Sequence, residues 1–137
     1  LREAIIAFEF GGVQAMHDPT EGGVSNGLHE VADASKTGFR VYEEKMEISH
    51  ETMEICRFFG IDPLNLISSG SLLVVAERDK ANGIVSQLRE EGIDASIIGE
   101  VLADEKCRVM VRRDGSVEPL VRPFSDELWT ALTREIR

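Results

Sequence analysis

The sequence has few of the residues on which several classes of protein depend. It contains two cysteines in 137 residues, Cys56 and Cys107, too few for the disulfide framework of a small secreted domain. We expect both to be small core residues. There are 15 Lys and Arg residues against 25 Asp and Glu residues, which gives a net charge of −10. This balance disfavours nucleic acid and anionic membrane surfaces as partners, because both are bound through basic patches.

Several motifs are also absent. No apolar run approaches the ~20 residues that a membrane span needs, and no signal peptide is visible. The two cysteines, read as core residues, indicate a cytoplasmic protein. The sequence has no G-x-x-x-x-G-K-[ST] phosphate-binding loop and no nucleophile elbow. Its three histidines, His17, His29 and His50, lack metal-ligand spacing, so we expect no metal site. We expect His29 and His50 to lie at the surface.

The apolar pattern predicts a single domain of alternating helices and strands, in the order αβαβαβαββα. With 42% hydrophobic residues the chain can form one ordinary core. The second helix is predicted over Thr20 to Ser35, and the last is predicted to be capped by Ser125. Ser49 is predicted to cap the third helix and Gly60 to end it, and Asp114-Gly115 is a turn signal. The strand Ser71 to Ala76 is apolar on both faces, which favours a central position in the sheet. The order indicates an α+β fold with α/β/α layers around a mixed β-sheet.

The stretch His17-Asp18-Pro19-Thr20-Glu21-Gly22-Gly23 is the most informative in the chain. Pro19 suits the first position of a helix, and Asp18 or Thr20 can cap the amides behind it. Two glycines in a first helical turn each cost about 1 kcal/mol relative to alanine. Bare amides at a helix N-terminus form an anion site, so we expect phosphate or a phosphorylated substrate to bind Asp18, Thr20, Gly22 and Gly23. Alternatively, the glycines only let the helix pack closely, and Thr20 is only a cap.

Four further residues belong to this candidate site. His17 ends the preceding strand and is our candidate catalytic residue, for holding phosphate or transferring a proton; alternatively it forms a structural hydrogen bond. Asn26 follows the glycines by one helical turn and is predicted to face the ligand. Ser69 and Gly70 belong to a second small, hydroxyl-rich loop. That loop either lines the same cleft or is only a turn.

Three stretches carry a resemblance to a known family. HDPTEGGVSNGLHEVADAS resembles the start of the C-terminal domain of the AIR synthase (PurM-like) superfamily. The segment Phe59 to Leu64, followed by Ser68 to Val74, is similar to that family's GIDPL…G.L segment, and Arg122-Pro123 to its closing region. The nearest branch is formed by HypE-type hydrogenase expression/formation proteins and AIR-synthase-related proteins. HypE-like sequences commonly have Arg where this chain has His17, whereas AIR synthases have a His there, so the resemblance leaves both branches open.

The resemblance implies a PurM C-terminal-domain-like fold, partly ferredoxin-like, over residues 1–137. It also implies that the domain belongs to a longer chain, which agrees with a sequence that begins at Leu1 rather than Met. In such a protein an N-terminal domain supplies most of the ATP and Mg²⁺ site and of the homodimer contact. The C-terminal domain then walls the active-site cleft and binds a small phosphate-containing ligand. This chain alone is accordingly expected to be inactive; the alternative is a non-catalytic ligand-binding or assembly module.

Overall fold

The computed structural model describes residues 1–133 and contains five α-helices and six strands in that range. The helices are α1 (Arg2–Phe10), α2 (Gly23–Ser35), α3 (His50–Phe59), α4 (Arg78–Glu90) and α5 (Glu127–Thr133). The strands are β1 (Val13–His17), β2 (Gly38–Tyr42), β3 (Leu73–Ala76), β4 (Gly99–Leu102), β5 (Arg108–Val111) and β6 (Val117–Pro119). Two 3-10 turns, Glu43–Lys45 and Pro63–Asn65, precede and follow α3.

The strands form two sheets. Strands β1 and β3 pair antiparallel as a two-stranded sheet, with His17 opposite Leu73. The other four strands lie in the order β4-β2-β5-β6, in which β2 and β5 are parallel and the other pairs antiparallel. The mixed sheet, the helical layers and the α+β class are therefore confirmed.

Two hydrophobic clusters hold the layers together. In the first, Ala32 of α2 packs on Phe39, Val41 and Met110 of the four-stranded sheet, with Leu64 of the second 3-10 turn. In the second, Ala7 of α1 packs on Ile84 and Leu88 of α4, and both helices cover the two-stranded sheet. Helix α2 contacts strands of both sheets, and Pro19 and Gly22, just before it, are buried.

Local signals in the sequence place several element ends correctly. Ser49 caps α3, where its Oγ accepts a hydrogen bond from the Thr52 amide at 3.2 Å. Gly60 ends that helix with a φ of 63°, and Asp114-Gly115 forms the turn between β5 and β6. The short β6 was not among the predicted strands, since three exposed residues leave little apolar pattern.

Two tertiary predictions are wrong. The strand within Ser71 to Ala76 is not central: within residues 1–133 β3 pairs with β1 alone, and all four of its residues are half-buried. His29 is not at the surface, because it is only 6% exposed and stacks edge-on against Phe39. His50 is exposed and Cys56 buried, as expected, while Cys107 is half-buried.

Among residues 1–133, no helix is both long enough and apolar enough to cross a membrane.

Candidate functional site

The segment between β1 and α2 is a turn and not the beginning of the helix. Helix α2 begins at Gly23 rather than Thr20, and Gly22 is its N-cap residue with a φ of 74°. Pro19 is therefore not the first helical residue; it is buried ahead of the helix. Neither Asp18 nor Thr20 caps α2, since the N-cap residue is Gly22. The Thr20 hydroxyl instead donates to Asp18 Oδ1 at 3.3 Å. The turn is set by two consecutive left-handed residues, a conformation that glycine adopts most readily.

Gly23 lies against the backbone of the second 3-10 turn. Its φ is 63°, and an added Cβ would lie 2.5 Å from the Leu64 carbonyl oxygen and closer still to that of Leu66. Its amide donates to the Thr20 carbonyl oxygen at 3.1 Å. Close packing thus explains why this position is glycine.

Gly22 has a different environment, because a carboxylate from the far end of the chain contacts it. The Gly22 amide donates to Asp126 Oδ2 at 2.7 Å, in a buried contact between residues 104 apart. Asp126 Oδ1 accepts from the Leu128 amide at 2.8 Å, so Asp126, not the predicted Ser125, caps α5. The turn before α2 therefore already binds an oxyanion, which is supplied by the chain itself.

The second predicted loop lies beside this turn. Ser68 Oγ donates to the Pro19 carbonyl oxygen at 3.0 Å, and the Ser68 amide donates to that of Thr20 at 3.3 Å. Ser69 and Gly70 follow and are exposed, with Gly70 at a φ of 97°. The two loops that the sequence singled out are thus neighbours in the fold.

His17 is directed to the side of α2. Its Nε2 lies 2.7 Å from Glu30 Oε2, and an added Cβ on Gly27 would lie 3.3 Å from its Cδ2. Glu30 follows Gly23 by seven residues, which is about 10 Å along a helix. The imidazole is therefore paired with a carboxylate about two helical turns beyond the Gly22 amide.

A charged network that the sequence reasoning missed joins α2 to the segment after β6. Arg122 donates from Nε to Asn26 Oδ1 at 3.0 Å and from Nη1 to Asp33 Oδ2 at 2.9 Å. Arg108 contacts the other oxygen of Asp33 at 2.6 Å. Asn26 also donates to the Glu21 carbonyl oxygen at 3.0 Å. Asn26 thus binds both the turn and the C-terminal segment.

His29 lies beneath this network. Its Nε2 is 2.9 Å from the Leu120 carbonyl oxygen, and its Nδ1 is 3.3 Å from Arg108 Nη1. Burial lowers the pKa of His29, and the positive charges of Arg108 and Arg122 lower it further, against the opposing effect of the hydrogen bond to Leu120. The pKa of Asp33 is lowered, chiefly by its hydrogen bond from Arg108. His29 precedes the buried Ala32 by three residues, about one helical turn. This spacing alone predicts that both residues lie on the same buried face of α2.

A wide cleft of about 1070 Å³ separates the two sheets. Residues of α2, β2, β3, β4 and α4 line it together with the 93–98 segment, and Gly70 and Ser71 lie along it too. One part of the cleft lining is therefore next to the glycine turn.

The AIR synthase related protein, C-terminal domain, is the family model that matches the chain, over residues 1–112. The chain belongs to this family. Carbamoyl dehydratase HypE of Rhizobium leguminosarum bv. viciae is 36% identical over 101 residues, which cover 72% of the chain and 29% of that protein. The other curated relatives that match include further HypE proteins and hydrogenase expression/formation proteins.

Solved HypE structures have the same fold. HypE in a HypE–HypF complex superposes with a TM-score of 0.81 at 33% identity, covering 89% of the chain and 41% of that protein. HypE in complex with ATP gives a TM-score of 0.76 at 29% identity, covering 84% and 37%. The AIR synthase related domain thus spans less than half the length of its relatives, and the resemblance found in the sequence is confirmed.

Proposed function

We propose that this domain is the C-terminal part of an ATP-dependent, HypE-like enzyme and binds a phosphoryl group at the turn before α2. The reaction would be a hydrogenase-maturation step or a related ATP-dependent phosphoryl activation. The relatives at 29–36% identity support this proposal, because they carry the names carbamoyl dehydratase HypE and HypE in complex with ATP.

The observation that carries the proposal is the junction of the two loops. Ser68 binds the backbone of Pro19 and Thr20, so the hydroxyls of Thr20 and Ser69, both exposed, lie on adjoining loops. Hydroxyls and backbone amides are suitable donors to phosphoryl oxygens, since catalysis of phosphoryl transfer depends on positioning and charge stabilisation. In this proposal Asp18 orients the Thr20 hydroxyl and Gly22 supplies a backbone amide. Gly23 allows the turn to pack closely, and Asn26 stabilises the turn by donating to the Glu21 carbonyl oxygen. Gly70 supplies the turn of the second loop.

His17 takes the role of proton acceptor in this proposal. The Glu30 carboxylate on Nε2 favours the tautomer that carries its proton there, which leaves Nδ1 as the basic nitrogen. Because His17 pairs with Glu30 at the side of α2, in this proposal it acts on an acceptor substrate and not on the phosphoryl group bound at the turn.

ATP and Mg²⁺ need more than this domain. Within residues 1–133 no group of three His, Cys, Asp or Glu side chains could hold a metal ion. The donor set at the turn fits a phosphoryl oxygen, since Gly22 already binds the carboxylate of Asp126. We therefore propose that an N-terminal domain of the same protein holds ATP with its Mg²⁺. We also propose a cytoplasmic setting, because both cysteines are free.

An assembly role is the second candidate. Leu1, Ile5 and Phe8 form a stripe on α1 that is 88%, 48% and 73% exposed, and a related HypE forms a complex with HypF. Such a stripe suits a protein interface, either with the N-terminal domain or between two copies of the protein in a homodimer.

Titration of the ¹⁵N-labelled chain with inorganic phosphate tests the phosphoryl site. We expect the amides of Thr20 to Val24 to shift first, while the amide of Gly115, in the distant β5–β6 turn, does not move. Ser69→Ala should weaken the effect, whereas Ser86→Ala, an equally exposed serine on α4, should not. Small uniform shifts, or none, would refute the site.

Calorimetry with Mg-ATP tests the division of labour. The 137-residue chain should show no micromolar affinity, whereas the same segment within its full-length protein should bind. Micromolar binding by the chain alone would show that the nucleotide site lies in this domain.

A further inference from the structure

The segment 120–126, here called the strap, runs along α2 and contacts it from Asp33 to the N-cap Gly22. At its start the Leu120 amide donates to the Arg108 carbonyl oxygen at 2.9 Å, and the Leu120 carbonyl faces His29. In its middle Arg122 binds Asn26 and Asp33. Pro123 then packs on Gly22, where an added Cβ would lie 3.1 Å from Pro123 Cγ. The strap ends at Asp126, whose carboxylate accepts a hydrogen bond from the Gly22 amide.

Asp126 occupies its position as a bound anion would. It is only 5% exposed, and its two oxygens are divided between the amides of Gly22 and Leu128. A carboxylate and a phosphoryl group both offer charged oxygens to backbone amides. The contact therefore identifies the Gly22 amide as an oxyanion donor, and another ligand must displace Asp126 to reach it.

A second observation points to a missing ligand in the same helical turn. Ser25 is 1% exposed, and its Oγ has no hydrogen-bond partner within residues 1–133. Ser25 follows the N-cap Gly22 by three residues, and residues three apart lie on the same face of a helix, with side chains tilted toward its N-terminus. A buried hydroxyl without a partner is costly, and a phosphoryl oxygen at the turn would satisfy it.

We propose that the strap is an autoinhibitory latch in which the Asp126 carboxylate occupies the position of a phosphoryl group. The ligand enters when the strap swings away, and its oxygens then accept from the Gly22 amide and the Ser25 hydroxyl. This inference rests on the proposed phosphoryl site and adds a regulatory step to it. The strap lies outside residues 1–112, the part of the chain that the family model matches.

Asp126→Asn tests the latch by phosphate titration of the ¹⁵N-labelled 137-residue chain. The variant keeps the side-chain shape and removes the charge, so phosphate should bind about tenfold more tightly, as expected for loss of a charge-assisted competitor. Glu21→Gln is the matched control: it removes the same charge beside Gly22 from an exposed side chain and should change the affinity little. Adding Ser25→Ala to Asp126→Asn should reverse most of the gain.

The wild-type titration supplies an independent readout. Because Asp126 binds both amides, a phosphate ion that displaces it should shift the Gly22 and Leu128 resonances together, with one midpoint. If Gly22 shifts while Leu128 stays in place, no displacement occurs and the latch is refuted.

The outcomes separate the latch from the site. Equal phosphate affinity in wild type, Asp126→Asn and Glu21→Gln, with shifts at Thr20 to Val24, would overturn the latch and leave the proposed function standing. No shift at Gly22 in any variant would overturn both. If Asp126→Asn does not fold, Asp126→Ser replaces it, since serine still caps α5 but is too short to reach Gly22.

Discussion

Gly23→Ala is the substitution for which the structure makes the sharpest prediction. The added methyl group would collide with the carbonyl oxygens of Leu64 and Leu66, and the residue would have to keep a φ of 63°. An alanine in the left-handed conformation costs about 1–2 kcal/mol. Overpacking against these backbone carbonyls, which cannot rotate away as a side chain could, costs about 1–3 kcal/mol. We therefore expect the variant to lose about 2–5 kcal/mol of unfolding free energy, a large part of the stability of a small domain.

Gly92→Ala is the matched control for this substitution. Its φ is 75°, and an added Cβ would meet nothing within 4 Å. It therefore carries the conformational cost of a left-handed alanine without the collision, and we expect a loss of about 1–2 kcal/mol. The difference between the two variants measures the collision alone.

Urea unfolding followed by circular dichroism gives both free energies. A lower midpoint with an unchanged slope would attribute the loss to stability rather than to a change in the unfolded state. Equal losses in Gly23→Ala and Gly92→Ala would refute the packing argument, because the Leu64 and Leu66 carbonyls would then yield without cost. The same measurement in the full-length protein should show activity falling in step with unfolding.

Three other predictions each concern the environment of a single residue. His29 has a lowered pKa in the fold, so the unfolded chain binds its proton more readily and stability should fall as the pH drops below about 6.5; His29→Gln should flatten this slope in thermal melts, and an unchanged slope would contradict the assignment. Ser49→Ala should cost about 1 kcal/mol by removing the α3 cap, whereas Ser86→Ala should cost nothing measurable in the same urea titration. Ser25→Ala alone should leave the melting temperature unchanged or raise it, because its hydroxyl has no partner within residues 1–133; a clear loss of stability would show that the hydroxyl is bonded.

The elements that the sequence predicts well are those with local causes. Ser49 and Gly60 bound α3 through contacts within a few residues of each, and the Asp114-Gly115 turn needs only its own backbone. The sequence also identified the two loops that meet through Ser68. It did so from composition and resemblance, since spacing alone does not show that residues 49 apart are in contact.

The elements that it misses depend on distant partners. Helix α2 begins at Gly23, after a left-handed Gly22 whose amide donates to Asp126, 104 residues away. The apolar run in β3 predicts burial on both faces, yet in the described part of the chain β3 pairs only with β1, and its residues line the cleft. His29 is buried by Leu120 and Phe39, which come later in the chain. The contacts to Leu120 and Asp126 join residues 91 and 104 apart, which lie far beyond any local pattern.

The glycine pair combines two different requirements, and treating it as one motif conceals this. Gly23 is small because the carbonyls of Leu64 and Leu66 leave no room for a side chain, which is a packing requirement. Gly22 has a left-handed φ that turns its amide toward an oxyanion, at present that of Asp126. A phosphate contact at Gly23 stays a prediction, while the contact at Gly22 has a carboxylate as its precedent. The two positions should therefore respond differently: substitution at Gly23 should act first on stability, and a change at Asp126 should act first on anion affinity.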